Sequence, residues 1–70
     1  MENNIRVYRE RLGLSQEAVS REFRAKYGRS TITARHISKW ERREVVPSVE
    51  NALILARILQ CKVEDLFDLD

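Results

Sequence analysis

The chain has 70 residues, 43% apolar and 34% charged, which is enough for one small folded core and too rich in core material for a disordered chain. No stretch approaches the roughly 20 apolar residues of a membrane span, and Met1-Glu2-Asn3-Asn4 lacks the basic and apolar regions of a signal peptide. The net charge of +2 conceals a division: residues 1–43 hold 11 bases against five acids, and residues 44–70 hold two bases against six acids. One domain over residues 1–70, working in the cytoplasm without a membrane, is the expectation. The single Cys61 fits it, since secreted domains of this size carry paired cysteines, and its apolar neighbourhood suggests packing rather than chemistry.

Asn3 or Asn4 is placed to cap a first helix over about Asn4 to Leu12. Ile5, Tyr8 and Leu12 recur at helical steps, and Gly13 supplies the left-handed stop. Leu14 folds back over that end. Ser15 then caps a second helix with Gln16 and Glu17 in its first turn, Val19, Phe23 and Tyr27 on one face, and Gly28 at its end. Residues 28–31 are polar and breaker-rich and form a connection. Thr33 caps a third helix from about Ala34 to Arg42, in which Ile37 and Trp40 share an apolar stripe while Ala34, Arg35, Ser38, Lys39 and Arg42 face elsewhere. Pro47 forces an extended Val46, and Ser48 caps a fourth helix, Val49 to Gln60, whose apolar positions are read as Val49, Ala52, Leu53, Ala56 and Leu59. Val63, Leu66 and Phe67 form a short fifth unit, with Glu64 and Asp65 at its favourable N-terminal end. No strand is expected, so the fold class is all-α with five helices.

Two helices joined by a turn, the second with an apolar anchor and a basic outer face, are what a major-groove reader requires. A helix fits the roughly 12 Å groove, and its N-terminal side chains reach base edges. The basic first part of the chain is suited to phosphate, although such a block also occurs as a merely solvated helix face.

At this point the residues resemble the Cro/C1-type (Xre-type) helix-turn-helix regulators, the lambda repressor-like fold, with the motif at about 15–42. Ile5-x-x-Tyr8-Arg9-x-x-x-Gly13-Leu14-Ser15-Gln16 is similar to the family's opening, and Ile32-Thr33-Ala34-Arg35-His36-Ile37-Ser38-Lys39-Trp40-Glu41-Arg42 to its recognition helix. Pro47-Ser48-Val49, Leu53, Leu55-Ala56 and Val63-Glu64-Asp65-Leu66-Phe67 resemble its closing helices. The resemblance implies that Ala34, Arg35 and Lys39 read bases, with Arg35 suited to pair bidentately with guanine and Ala34 to touch a thymine methyl. It implies that Gln16 contacts a phosphate and braces the start of the recognition helix, and that Thr33 and Ser38 lie near phosphates or groove edges. Arg9 and Glu41 match a buried ion pair joining helix 1 to the end of helix 3. The partner it implies is double-stranded DNA, bound by a homodimer on a palindromic operator.

Two departures from the family stand out. About seven extra residues lie between Phe23 and Ile32, so helix 2 is expected to be a turn longer and the loop wider. Arg24, Lys26 and Arg29 within this insert either reach further phosphates or solvate the lengthened helix. Arg43 stands where the family commonly has Gly; Arg42 and Arg43 either touch phosphate or are simply exposed. Ser20 replaces a customary small Ala. The acidic segment from Val63 to Asp70 is a candidate dimer surface.

Trp40 reads as core rather than as a base-stacking residue. His36 has no ligand-spaced partner, so neither a metal site nor any cofactor is expected. No nucleophile, base and orienting group can be assembled, which argues against an enzyme. The leading expectation is a sequence-specific, repressor-like transcription regulator. The alternative is an antitoxin-like module that binds a partner protein, with DNA binding secondary.

Overall fold

Stop signals set the helix boundaries, and the computed structural model, which describes residues 2–68, shows how each works. The helices are α1 Ile5–Arg11, α2 Gln16–Tyr27, α3 Ala34–Glu41, α4 Val49–Ile58 and α5 Val63–Leu66. Three of them end alike. At Gly13 (φ 69°), Arg43 (φ 62°) and Gln60 (φ 58°) the backbone turns left-handed. In each case that residue and the next donate N–H groups back to the last turn: Gly13 to Glu10 and Leu14 to Arg9, Arg43 to Trp40 and Glu44 to Lys39, Gln60 to Arg57 and Cys61 to Ala56. This is the Schellman closure, which satisfies carbonyls that the helix leaves without a partner. Gly13 adopts the conformation without strain. Arg43 and Gln60 carry a Cβ there, at a cost of about 1 kcal/mol each.

Helix starts follow the sequence for α2 and α4, where Ser15 accepts from the Ala18 N–H at 3.0 Å and Ser48 from the Asn51 N–H at 3.1 Å. At α1 the expectation fails. Asn4 occupies the cap position, yet its side chain makes no cap bond and instead donates to the Asp65 carbonyl at 3.1 Å. The N-terminal segment is drawn toward the C-terminal one. Glu2–Asn3 (β1) and Phe67–Asp68 (β2) form a two-residue antiparallel pair, with Glu2 opposite Asp68 and Asn3 opposite Phe67. This pairing corrects the expectation of no strand without altering the all-α class. Its cause is tertiary, because two residues hold no readable period of their own.

The core consists of Ile5, Val19, Phe23, Ile32, Ile37, Trp40, Leu55, Ala56, Ile58, Leu59 and Leu66, with Tyr8, Leu14, Tyr27 and Cys61 packed against it. Leu12, expected on the inner face of α1, is exposed, and Leu14 takes the inner place. In α4 the expected stripe is only half right. Ala56 and Leu59 are buried, but Val49 and Leu53 are 77% and 53% exposed, and Leu55 and Ile58 lie inside. The segment is apolar on more than one face, so two helical registers fit the pattern and only packing chooses between them. No helix among the described residues is long and apolar enough to cross a membrane.

Candidate nucleic-acid interface

Helix α3 packs chiefly on α2. Ile37 is fully buried, Trp40 is 3% exposed, and the Trp40 ring meets Phe23 at 5.7 Å between centroids with a tilt of 58°. That tilted geometry suits aromatic pairs, and it locks one side of α3 onto α2. Helical periodicity then turns Ala34, Arg35, Ser38, Lys39 and Arg42 to the other side. Arg35 and Arg42 are exposed, and Ala34, Ser38 and Lys39 are half-buried. Among the described residues neither the Arg35 nor the Lys39 side chain has a hydrogen-bond or ion-pair partner. Of the three cations on this face, these two are therefore available to a ligand.

The far end of α3 is held by a buried ion pair. Arg9 Nε donates to Glu41 Oε2 at 2.6 Å, Nη2 to Glu41 Oε1 at 3.1 Å, and Nη1 to the Leu14 carbonyl at 2.9 Å. The two side chains are only 11% and 6% exposed. The fork geometry delivers two charge-assisted bonds, and hydrogen bonding to Glu41 raises the Arg9 pKa above its ordinary value against the opposing effect of burial. Gln16 Nε2 donates to Glu41 Oε1 at 3.2 Å. The sequence assigned this amide to the start of the recognition helix; it braces the last residue instead. The Trp40 carbonyl accepts a further bond from Asn3 Nδ2 at 2.9 Å, a contact 37 residues apart with no sequence signal.

The near end of α3 depends on the insert. Helix α2 runs to Tyr27, as the longer spacing suggested, and Gly28 (φ 66°) turns the chain into the loop. The Phe23 carbonyl accepts from both the Gly28 and Arg29 N–H groups. Thr33, extended at φ −124° and ψ 172°, precedes the first turn, and its N–H donates to Nδ1 of His36 at 3.1 Å. His36 thus stands where a capping box carries Glu or Gln. The Thr-x-x-His spacing was visible in the sequence, but His is not a usual member of that motif.

The three cations of the insert are engaged within the protein. Lys26 pairs with Glu22 one turn back at 3.0 Å, which raises its pKa, and Arg29 Nη2 meets Glu50 at 3.2 Å. Arg24 binds Glu17, Ser20 and the Ile32 carbonyl. Arg42 pairs with Glu44 at 3.1 Å, and Arg43 is exposed in the left-handed turn that follows. Of the residues expected near phosphate, Gln16 and Ser38 are half-buried and Thr33 is exposed.

A helix docked across α2 by an aromatic contact, pinned at both ends and presenting a basic outer face, defines a helix-turn-helix protein. Residues 5–66 match the family model described as Helix-turn-helix, and the chain belongs to that family, as one of its Cro/C1-type DNA-binding regulators. Among solved structures it is similar to the P22 c2 repressor protein, crystallised in complex with synthetic operator 9T in the presence of Tl+. The TM-score is 0.78 at 33% sequence identity, covering 96% of this chain and 91% of that one. Among curated proteins, no sequence matches significantly.

Proposed function

We propose that this protein is a single-domain, sequence-specific, repressor-like regulator of transcription, acting in the cytoplasm by laying α3 in the major groove. Ala34, Arg35 and Lys39 face base edges. Gln16, Thr33, Ser38, Arg42 and Arg43 lie toward phosphates, and Lys26 and Arg29 reach them by exchanging an intramolecular carboxylate for a phosphate oxygen. The observation that carries this reading is the contrast in pairing: Lys26, Arg29 and Arg42 have acidic partners, whereas Arg35 and Lys39 on the outer face have none among the described residues. An Arg free at the start of a groove-sized helix is suited to a bidentate contact with guanine.

In vitro selection of bound duplexes, followed by titration of the selected site, tests it. Arg35→Ala is expected to relax the preference at one base and cost about 1 to 3 kcal/mol, and binding should fall steeply with salt as counterions are displaced. An unchanged motif and affinity in both Arg35→Ala and Lys39→Ala would show that another surface reads the DNA.

A second copy of the chain is the proposed partner on DNA, because one such domain makes few base contacts. An apolar groove of about 180 Å³, lined by Val46, Pro47, Val49, Ala52, Leu53, Val63 and Phe67, supports this. It includes the start of the acidic segment first considered, while Leu69 and Asp70 of that segment lie outside the described residues. The same groove is what an antitoxin-like reading would use for a foreign partner protein.

A further inference from the structure

The peptide joining Ile32 to Thr33 is the last one before the recognition helix begins its hydrogen-bonded turns, and it is held from both sides. Its carbonyl accepts from Arg24 Nη1 at 2.8 Å, and its N–H donates to His36 Nδ1 at 3.1 Å. Arg24 is itself fixed. The same Nη1 donates to Ser20 Oγ at 3.1 Å, Nη2 donates to Glu17 Oε1 at 2.9 Å, and Ser20 Oγ donates to the Glu17 carbonyl at 2.8 Å. Ser20 is fully buried, and Ile32 is 6% exposed. One guanidinium therefore spans the whole insert, from α2 to the peptide on which α3 starts.

We propose that Arg24 is a positioning residue for DNA reading, which sets the approach of α3 across the enlarged loop, and that it is not a phosphate contact. The inference rests on the proposed groove-reading function and supplies what that function lacks, a reason why a loop spanning residues 28–33 delivers the recognition helix at one fixed angle. A loop of this length is a flexible connection unless tied, and its backbone bond from the Ile32 N–H to the Arg29 carbonyl closes only one local turn. The Phe23 carbonyl restrains the loop's beginning; Arg24 restrains its end. The chemistry requires Arg. Two terminal nitrogens set about 2.3 Å apart in one plane donate to the carboxylate and to the carbonyl together, which the single point of a Lys ammonium cannot do. Ser20, in place of the customary Ala, provides the third acceptor. The serine and the longer loop are thus parts of one device.

The test compares Arg24→Lys, Ser20→Ala and Glu17→Gln with the wild-type chain on two duplexes, the selected operator and an unrelated sequence, over a range of salt concentrations. For a positioning residue, Arg24→Lys loses about tenfold in affinity for the operator, the unrelated duplex is bound as before, and the salt slope is unchanged. Ser20→Ala and Glu17→Gln shift operator affinity in the same direction by less, and they carry the test if Arg24→Lys does not fold. Arg24→Ala adds a sharp distinction. A phosphate contact would weaken both duplexes equally and lower the salt slope by about 1, with Arg24→Lys close to wild type, and that result overturns the assignment. A wild-type chain that distinguishes no duplex would overturn the groove-reading function first. Normal wild-type selectivity retained in all the variants overturns the role of Arg24 alone.

Discussion

Arg9 and Glu41 show how much depends on one partner being present. The Glu41 side chain is 6% exposed, so removing Arg9 leaves a buried charge beside which, among the described residues, the Gln16 amide is the remaining side-chain partner. Arg9→Ala is expected to cost about 3 kcal/mol in urea unfolding, whereas the double change Arg9→Met with Glu41→Leu recovers most of that loss by removing both charges. Equal losses in the single and double variants would mean that the pair is stabilising in its own right. At this scale the sequence was partly readable. Arg9 with Glu41 followed from family resemblance, but the Gln16 contact to Glu41 and the Asn3 contact to Trp40 did not, because neither partner lies at a local spacing. Cys61 behaves as a packing residue. Desolvation first, and the charge of Asp65 second, push its thiol pKa above the ordinary value, so thiolate is scarcer in the folded chain.

Each element begins and ends through backbone accounting, and here the strained positions are informative. Gln60 is exposed and left-handed at φ 58°, with no glycine's freedom to adopt that conformation. Gln60→Gly is expected to raise stability by about 0.5 to 1 kcal/mol, seen as a higher urea midpoint at unchanged slope. A lower midpoint would show that the Gln side chain contributes more than the turn costs. The same conformation at Arg43 was open to suspicion from sequence, since Gly is customary there; Gln60 carried no such cue. Helix α3 was legible to within a residue because Ile37 and Trp40 stand alone as its apolar stripe. Helix α4 was not, because Val49, Leu53, Leu55 and Ile58 offer apolar side chains around much of its circumference.

Over the whole molecule, the inward- and outward-facing apolar residues of α4 distinguish folding from assembly. Leu55 is fully buried and Leu53 is 53% exposed beside the groove. Leu55→Ala is expected to destabilise the monomer by about 2 to 5 kcal/mol, whereas Leu53→Glu leaves monomer stability within about 0.5 kcal/mol and weakens self-association on operator DNA. Sedimentation or light scattering with operator present measures the second effect. A Leu53→Glu chain that still binds operator as two copies places the dimer contact elsewhere. The charge division along the sequence is partly closed by folding, because Glu44 and Glu50 of the acidic part pair with Arg42 and Arg29 of the basic part.

The sequence by itself determined the five helices, the stops at Gly13 and Gly28, the anchor of Ile37 and Trp40, and the identity of the outward basic face. Each rests on residues within one or two helical turns of each other, where periodicity and capping chemistry are written locally. Only the tertiary structure decided which face of α4 is buried, why the chain ends pair as β1 and β2, and how α3 is presented. Those depend on contacts between distant segments, and side chains compete for them. Arg24 is the clearest case: its charge suggested phosphate, while the folded loop brings the Ile32 carbonyl within 2.8 Å and occupies the guanidinium there. The residues proposed to read DNA could be named from the sequence, whereas the bond from Arg24 to the Ile32 carbonyl, proposed to set the angle at which they are offered, exists only once the chain has folded.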